Sequence, residues 1–204
     1  MGRELELKFG ASGETLEKLE EKYGPFTAIA MHTRYYDTPA RSFRGRKWTL
    51  RLRTENGRPV CTLKIRLPDG SRGEYETECG DIASAINPML ACGAPAELAD
   101  IARQGLEEVC GARFTRLARR IDVPGGQVEL ALDRGVLTGG GKTLPFSEVE
   151  AELKAGPDSA LMDFGRKIAA EFSLGKEPRS KFQRAMALAD NAYPLSAGLP
   201  PMRT

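Results

Sequence analysis

Three stretches of this chain alternate charged and uncharged residues with a period of two. They read Glu-Leu-Glu-Leu-Lys at 4–8, Glu-Tyr-Glu-Thr-Glu at 74–78 and Glu-Val-Glu-Ala-Glu at 148–152. Successive side chains of a β-strand point to opposite faces, so each stretch places its charges on one face. In the first stretch the other face carries Leu5, Leu7 and Phe9, which need a core. A sheet that buries its apolar face under helices and closes its charged face into a polar-lined barrel satisfies both requirements.

The composition describes a globular chain with balanced charge. It has 204 residues, of which 41% are hydrophobic, enough to build a core unaided. Thirty Lys and Arg against 28 Asp and Glu give a net charge of +2, which indicates neither a nucleic-acid-binding surface nor an acidic tail. The N-terminal sequence has no apolar signal segment and no stretch approaches membrane-spanning length. We therefore expect a cytoplasmic protein with no membrane or nucleic-acid partner.

The four cysteines do not form a recognisable metal or disulfide pattern. Cys61, Cys79, Cys92 and Cys110 contain no Cys-x-x-Cys pair, and His32 is the single histidine. This spacing favours idle or buried thiols over a zinc site. A lone histidine on a strand is more often structural than a general base, and we interpret His32 in that way.

The pattern of elements predicts one domain over 1–190, followed by a tail over 191–204. The first half is strand-rich, with strands predicted at 3–9, 28–37, 48–54, 60–67 and 72–79, and a helix at 12–23. Helical spacing of apolar residues predicts a helical insert at about 81–112 between two half-barrels. Strands are predicted again at 114–123, 127–137 and 146–154, and helices at 160–170 and 181–189. The expected fold class is α+β, an eight-stranded antiparallel β-barrel forming a tunnel with helices packed outside.

Residues in phase with the alternating carboxylates define a charged inner face. Its acids are Glu4, Glu6, Glu74, Glu76, Glu78, Glu129, Asp133, Glu148, Glu150 and Glu152, and its bases are Lys8, Arg51, Arg53, Lys64, Arg66, Arg72, Arg116, Arg120 and Lys154. Two like charges ~4 Å apart repel by ~4 kcal/mol at an effective dielectric constant near 20, so crowded carboxylates call for a cation. An all-oxygen site suits Mg²⁺ or Mn²⁺, while clustered Arg and Lys suit the oxygens of a polyphosphate.

The chain resembles the CYTH superfamily, the triphosphate tunnel metalloenzymes, over nearly its whole length. The resemblance begins with Glu-x-Glu-x-Lys at 4–8. It continues through Tyr-Asp-Thr-Pro at 36–39, Leu-Arg-Leu-Arg at 50–53, Thr-Leu-Lys at 62–64, Arg-Gly-Glu-Tyr-Glu at 72–76, Leu-Asp-Arg-Gly at 132–135, Glu-Val-Glu-Ala-Glu-Leu-Lys at 148–154 and Ser-Lys-Phe at 180–182.

This resemblance implies a tunnel that binds a triphosphate-containing small molecule with a divalent metal. The catalytic residues implied are Glu4, Glu6 and Lys8, and the metal ligands implied are Glu4, Glu6, Glu76, Asp133, Glu150 and Glu152. The substrate-binding residues implied are Lys8, Arg51, Arg53, Lys64, Arg72, Arg116 and Lys181. The chain around Arg116 carries four arginines, which are Arg113, Arg116, Arg119 and Arg120. A bulge in this strand would change which of them points inward.

The leading functional prediction is hydrolysis of inorganic triphosphate to phosphate and pyrophosphate. A thiamine-triphosphatase-like hydrolase and a class IV adenylate cyclase are the alternative enzymes, and a module that binds polyphosphate or nucleotide without turnover is the alternative outside enzymes. Barrels of this type can dimerise, so a homodimer is left open.

Overall fold

A computed structural model describes residues 5–66 and 72–191, apart from the side chain of Arg72. The strands are β1 Glu6–Gly10, β2 Thr27–Asp37, β3 Thr49–Glu55, β4 Arg58–Arg66, β5 Arg72–Glu78, β6 Glu107–Val123, β7 Gly126–Gly139, β8 Lys142–Ala155 and β9 Gly175–Lys176. The helices are α1 Gly13–Tyr23, α2 Ser42–Gly45, α3 Ile86–Ala91, α4 Glu97–Ala102, α5 Asp158–Glu171 and α6 Lys181–Ala189.

The strands form a single antiparallel sheet in the order β5-β4-β3-β2-β6-β7-β8-β1-β9. This is the predicted α+β class, with eight main strands and a two-residue ninth strand that pairs with Phe9 and Gly10. Two elements were not predicted, the four-residue α2 and the short β9. Strand β6 begins at Glu107, inside the 81–112 segment, so the helical part of that segment is shorter than its apolar pattern indicates.

One face of the sheet is covered by two separate helical layers. Helices α1 and α5 pack on β7, β8 and β1, where Leu19, Leu130 and Ile168 are fully buried. Helices α2, α3 and α4 pack on β3 and β4 around Leu63 and Met89. Local signals explain these helices: Ser12, for example, accepts a hydrogen bond from the Thr15 amide and so caps the N-terminus of α1.

Helix α6 lies on the opposite face, the one that carries the charges. Its Ala185 and Met186 pack with Phe114, Leu137 and Phe146, residues in phase with the inner-face acids. The sequence predicts this helix but places it outside the barrel with the others. Part of the charged face is therefore apolar and covered, and α6 closes that end of it.

Among the described residues, no helix combines the length and apolar character needed to span a membrane.

Candidate active site

The strand register brings the alternating carboxylates into three neighbouring rows across β1, β8 and β7. In the first row, Glu6 lies opposite Glu152, which lies opposite Glu129. The second row consists of Lys8, Glu150 and Ala131. The third row consists of Gly10, Glu148 and Asp133. Opposed residues on antiparallel strands have Cβ atoms about 4.5–5.5 Å apart. The period-two pattern thus produces the crowding of acids that the sequence predicts.

Six charged residues near the third row form what we call the buried charge cluster. They are the acids Asp133, Glu148 and Glu150 and the bases Arg116, Lys181 and Arg184. Asp133 and Glu148 are fully buried, and Lys181 and Arg184 are only 7% and 6% exposed. Ligand oxygens of the three acids lie within 4.8 Å of one another. Such packing is tolerable because three cations balance three carboxylates.

Lys181 occupies the centre of this cluster. Its Nζ lies 2.7 Å from Asp133 Oδ2 and 2.9 Å from Glu150 Oε1, and it also donates to Glu148. It lies 4.9 Å from the centre of the Phe114 ring as well. Burial alone would lower the pKa of Lys181, but the charges of Glu150, Asp133 and Glu148 outweigh it and raise that pKa above its ordinary value. Lys181 is therefore cationic at neutral pH.

The buried acids differ in how strongly their charge is supported. Burial raises the pKa of Glu148, Glu150 acts in the same direction, and Lys181 and Arg184 oppose them. Burial would also raise the pKa of Glu150, but Lys181 and Arg116 outweigh it and hold that pKa well below its ordinary range. Glu150 is therefore anionic at neutral pH.

The opposite wall of the charged face is cationic. Arg51 lies 3.8 Å and Lys64 3.1 Å from Glu74, and Arg53 lies 3.7 Å from Glu55. Burial, with Arg51 next to it, lowers the pKa of Arg53 to about 10, so the side chain is still charged at pH 7. These bases exceed the acids beside them, which favours an anionic ligand.

A cavity of about 860 Å³ joins the two walls. Its lining includes Glu6 and Lys8 from β1, Lys64 and Arg66 from β4, and Ser180 and Gln183 at the start of α6. Strands β1 and β4 are far apart in the order of the sheet, so the sheet curls until they face each other. The size and charge of this cavity suit a small polyanion.

The first row of acids offers oxygen donors of the type that a hard divalent cation binds. Glu6, Glu152 and Glu129 are opposed on adjacent strands, and like charges in such positions repel. Lys154 lies 2.8 Å from Glu152 and 3.6 Å from Glu129, and offsets part of the repulsion. An all-carboxylate donor set open to water is the kind that Mg²⁺ and Mn²⁺ use.

Some predicted site residues lie apart from this centre or outside the described residues. Glu4 and the side chain of Arg72 are not among the parts of the chain described. Glu76 lies on β5 and accepts a hydrogen bond of 2.9 Å from Thr62. Asp133 has both carboxylate oxygens paired with Arg116, at 2.8 Å each.

The structure also separates the four arginines around Arg116. Arg116 and Arg120 lie on the charged face, because β6 pairs with β7 without a register shift. Arg113 points to the other face, where its Nε donates to His32 Nε2 at 3.2 Å. Arg119 donates to the carbonyl oxygens of Tyr23 and Gly24. His32 thus lies outside the charged cavity, in agreement with its interpretation as a structural residue.

Sequence reasoning missed the role of Arg184. The alternating pattern predicts Glu148 on the charged face without a function, and no motif points to Arg184. The available signal is spacing: Lys181 and Arg184 are three residues apart, so a helix presents both on one side.

Comparison with known proteins agrees with this architecture. Residues 2–186 match the model of the CYTH domain. The chain belongs to the CYTH domain family. Inorganic triphosphatase of Haemophilus influenzae is 27% identical over 202 residues, which are 95% of this chain and 57% of that protein. The chain thus spans just over half the length of this curated relative.

Two solved structures show the same CYTH fold. HpAC1 from Hippeastrum, assigned as an adenylyl cyclase and described as having a dominant triphosphatase activity, has a TM-score of 0.69 at 20% identity, covering 95% of this chain and 98% of that one. PH1819 from Pyrococcus horikoshii has a TM-score of 0.57 at 25% identity, covering 89% and 97%. Both matches extend over nearly the whole chain, so the sheet and its helices form one shared fold.

Proposed function

We propose that this protein is a divalent-metal-dependent hydrolase that converts inorganic triphosphate to phosphate and pyrophosphate. The observation that carries the proposal is a single cavity in which Glu6, opposed to Glu152 across the strands, and Lys8 line one wall and Lys64 and Arg66 line the other. The relative from Haemophilus influenzae, named an inorganic triphosphatase, supports this substrate.

We assign the metal, Mg²⁺ or Mn²⁺, to Glu6, Glu150 and Glu152 together with Glu4. When bound, the ion would neutralise phosphate charge and lower the pKa of a bound water. Asp133 is fully buried with its oxygens on Arg116 and Lys181, so we assign it to holding those two bases in place, whereas Glu150, which contacts the same bases, keeps 16% of its side chain exposed. A metal role for Glu76 remains a prediction from the family resemblance.

The bases of the charged face would bind and orient the triphosphate. Lys8, Lys64, Arg51 and Arg53 provide fixed positive charge, and Arg72 is added from the resemblance. Arg116 and Lys181 are paired with carboxylates in this structure, and phosphate oxygens would compete for the same donors. Water attacks the terminal phosphorus, the phosphoanhydride bond breaks, and pyrophosphate leaves. Charge neutralisation and positioning supply most of the catalysis of such a transfer.

The substrate is tested by comparing kcat/KM for inorganic triphosphate, ATP and thiamine triphosphate, with products separated by chromatography. The proposal predicts the highest value for inorganic triphosphate. A preference for thiamine triphosphate would make the protein an organic triphosphate hydrolase. Cyclic AMP and pyrophosphate from ATP would make it a cyclase, and tight binding without product would make it a binding module.

The metal assignment is tested with Glu6→Gln and Glu152→Gln. We expect each to lower kcat by at least tenfold and to raise the Mg²⁺ concentration at half-maximal rate. Triphosphate binding in chelator should be retained, because neither substitution removes a base. Glu21→Gln, on the exposed side of α1, is the matched control. An unchanged metal requirement in both site variants would contradict the assignment.

A further inference from the structure

Helix α6 is fixed firmly against the charged face. Its capping box, formed by Ser180 and Gln183, defines where it begins. Its backbone also lies very close to β7: a Cβ added to Gly139 would be 2.5 Å from the Ala185 carbonyl oxygen. Only glycine permits this approach, which lets the backbones of α6 and β7 pack directly against each other at this point.

Lys181 and Arg184 extend from this helix to the same carboxylate. Lys181 contacts Oε1 of Glu148 and Arg184 contacts Oε2. The Arg184 guanidinium also lies 5.3 Å from the centre of the Phe146 ring, and its buried Nε has no hydrogen-bond partner. The hydrogen bond to Glu148 is therefore the main polar contact that holds this buried arginine.

The two bases do not depend on Glu148 to the same extent. Lys181 divides its donors among Asp133, Glu148 and Glu150. The charge balance of the cluster is three acids against three bases, so removing Arg184 leaves three acids against two. Glu148, fully buried, would then have Lys181 as the remaining cation of the cluster in contact with it. Lys181, which already contacts Glu148, would be held more tightly by it and would be less available to a phosphate group.

We infer that Arg184 is a positioning residue: by neutralising Glu148, it leaves Lys181 available to bind the phosphate groups of the substrate. This inference deepens the proposed function and rests on it. Arg184 contacts Glu148, so under this inference the effect of its loss should depend on whether Glu148 still carries a carboxylate. That dependence separates positioning from direct binding and from simple packing.

The test is a double-substitution cycle with Arg184→Gln, Glu148→Gln and the combined variant. KM and kcat for inorganic triphosphate are measured, together with triphosphate affinity by calorimetry in chelator. We expect Arg184→Gln to raise KM and weaken affinity about tenfold or more, with kcat changed less. The combined variant should recover to within about threefold of the native protein, because the unpaired acid is gone. Arg184→Lys should also keep KM and triphosphate affinity close to the native values, since lysine supplies the same positive charge.

The controls keep the outcomes distinct. Arg166→Gln alters an exposed arginine that pairs with Asp163 on α5 and should change nothing. Unfolding transitions identify variants that do not fold. If Arg184→Gln is one of them, the KM of Arg184→Lys tests whether a positive charge at this position is enough for substrate binding. If the native protein neither binds nor hydrolyses triphosphate, the proposed function fails. If the native protein is active but the combined variant stays as impaired as Arg184→Gln, Arg184 acts directly and the inference is overturned.

Discussion

Arg116 and Asp133 face each other on β6 and β7 and form a two-pronged ion pair. Arg116 Nε donates to Oδ1 and Nη2 to Oδ2, each at 2.8 Å, and Asp133 is completely buried. The same guanidinium reaches Glu150, which we assign to the metal. This pair therefore couples the packing of the barrel to the position of a base in the proposed phosphate site.

We predict that Asp133→Asn lowers the free energy of unfolding by about 3 kcal/mol, because it leaves buried cations with one anion fewer. Arg116→Lys should retain the charge but lose the planar fork, and lower kcat/KM on the order of 10²-fold. Chemical denaturation and steady-state kinetics measure the two effects. Arg120→Lys is the control, because Arg120 is 64% exposed at the rim. Equal effects at positions 116 and 120 would contradict this account.

Loss of the α6 cap should reduce both stability and activity. Ser180 caps α6, which carries Lys181, whereas Ser12 caps α1 on the other face. Replacing an N-cap serine by alanine costs about 1 kcal/mol, so Ser180→Ala and Ser12→Ala should lower stability by similar amounts. Only Ser180→Ala should also raise KM for triphosphate. Equal KM values for the two variants, measured well below their melting temperatures, would show that the position of α6 does not affect substrate binding.

His32 gives a clean pH probe because it is the single histidine in the chain. Burial, then the charges of Arg113 and Arg34, lower its pKa below the ordinary 6.5, while Glu108 opposes them. NMR titration should show a pKa below 6.5 that rises in Arg113→Gln. A depressed pKa means that protonation favours the unfolded state, so this contribution to stability is present above pH 6.5 and is lost as the pH falls through the folded pKa. A pKa at or above 6.5 would show that the cationic neighbours do not act on it.

The cysteine thiols should differ in reactivity according to how deeply each is buried. Burial raises the pKa of Cys61 and of Cys110 to about 12 in each case, and Cys61 is fully buried. Cys92 is exposed. We expect a thiol reagent at pH 8 to modify Cys92 in the native protein and to reach Cys61 and Cys110 only after denaturation. Mass spectrometry of the modified peptides measures this, and rapid native modification of Cys61 would contradict the burial.

The sequence predicts the sheet well because alternation is a local property. Strand β8 carries Glu148, Glu150 and Glu152 in phase, and that pattern alone puts the three side chains on one face of the sheet. Strand β6 is different. Its first residues include the small, buried Cys110 and Ala112 instead of a strict alternation, so its early start at Glu107 was not apparent.

The position of α6 could not be predicted from its own residues. An apolar stripe containing Ala185 and Met186 shows that the helix packs on something, but not on which face of the sheet. The useful signal lies in the strands: Phe114, Leu137 and Phe146 are in phase with the acids and still apolar. Such residues indicate that part of a charged face is covered. The pairing of Arg184 with Glu148 follows only once that cover is known.

The most direct test of the central claim is the ³¹P NMR spectrum of inorganic triphosphate incubated with the protein and Mg²⁺ or Mn²⁺. The account predicts that the triphosphate signals are replaced by orthophosphate and pyrophosphate in equal molar amounts, and that excess chelator stops the conversion. Unchanged triphosphate with either metal, or conversion that continues in chelator, would contradict metal-dependent hydrolysis at this site.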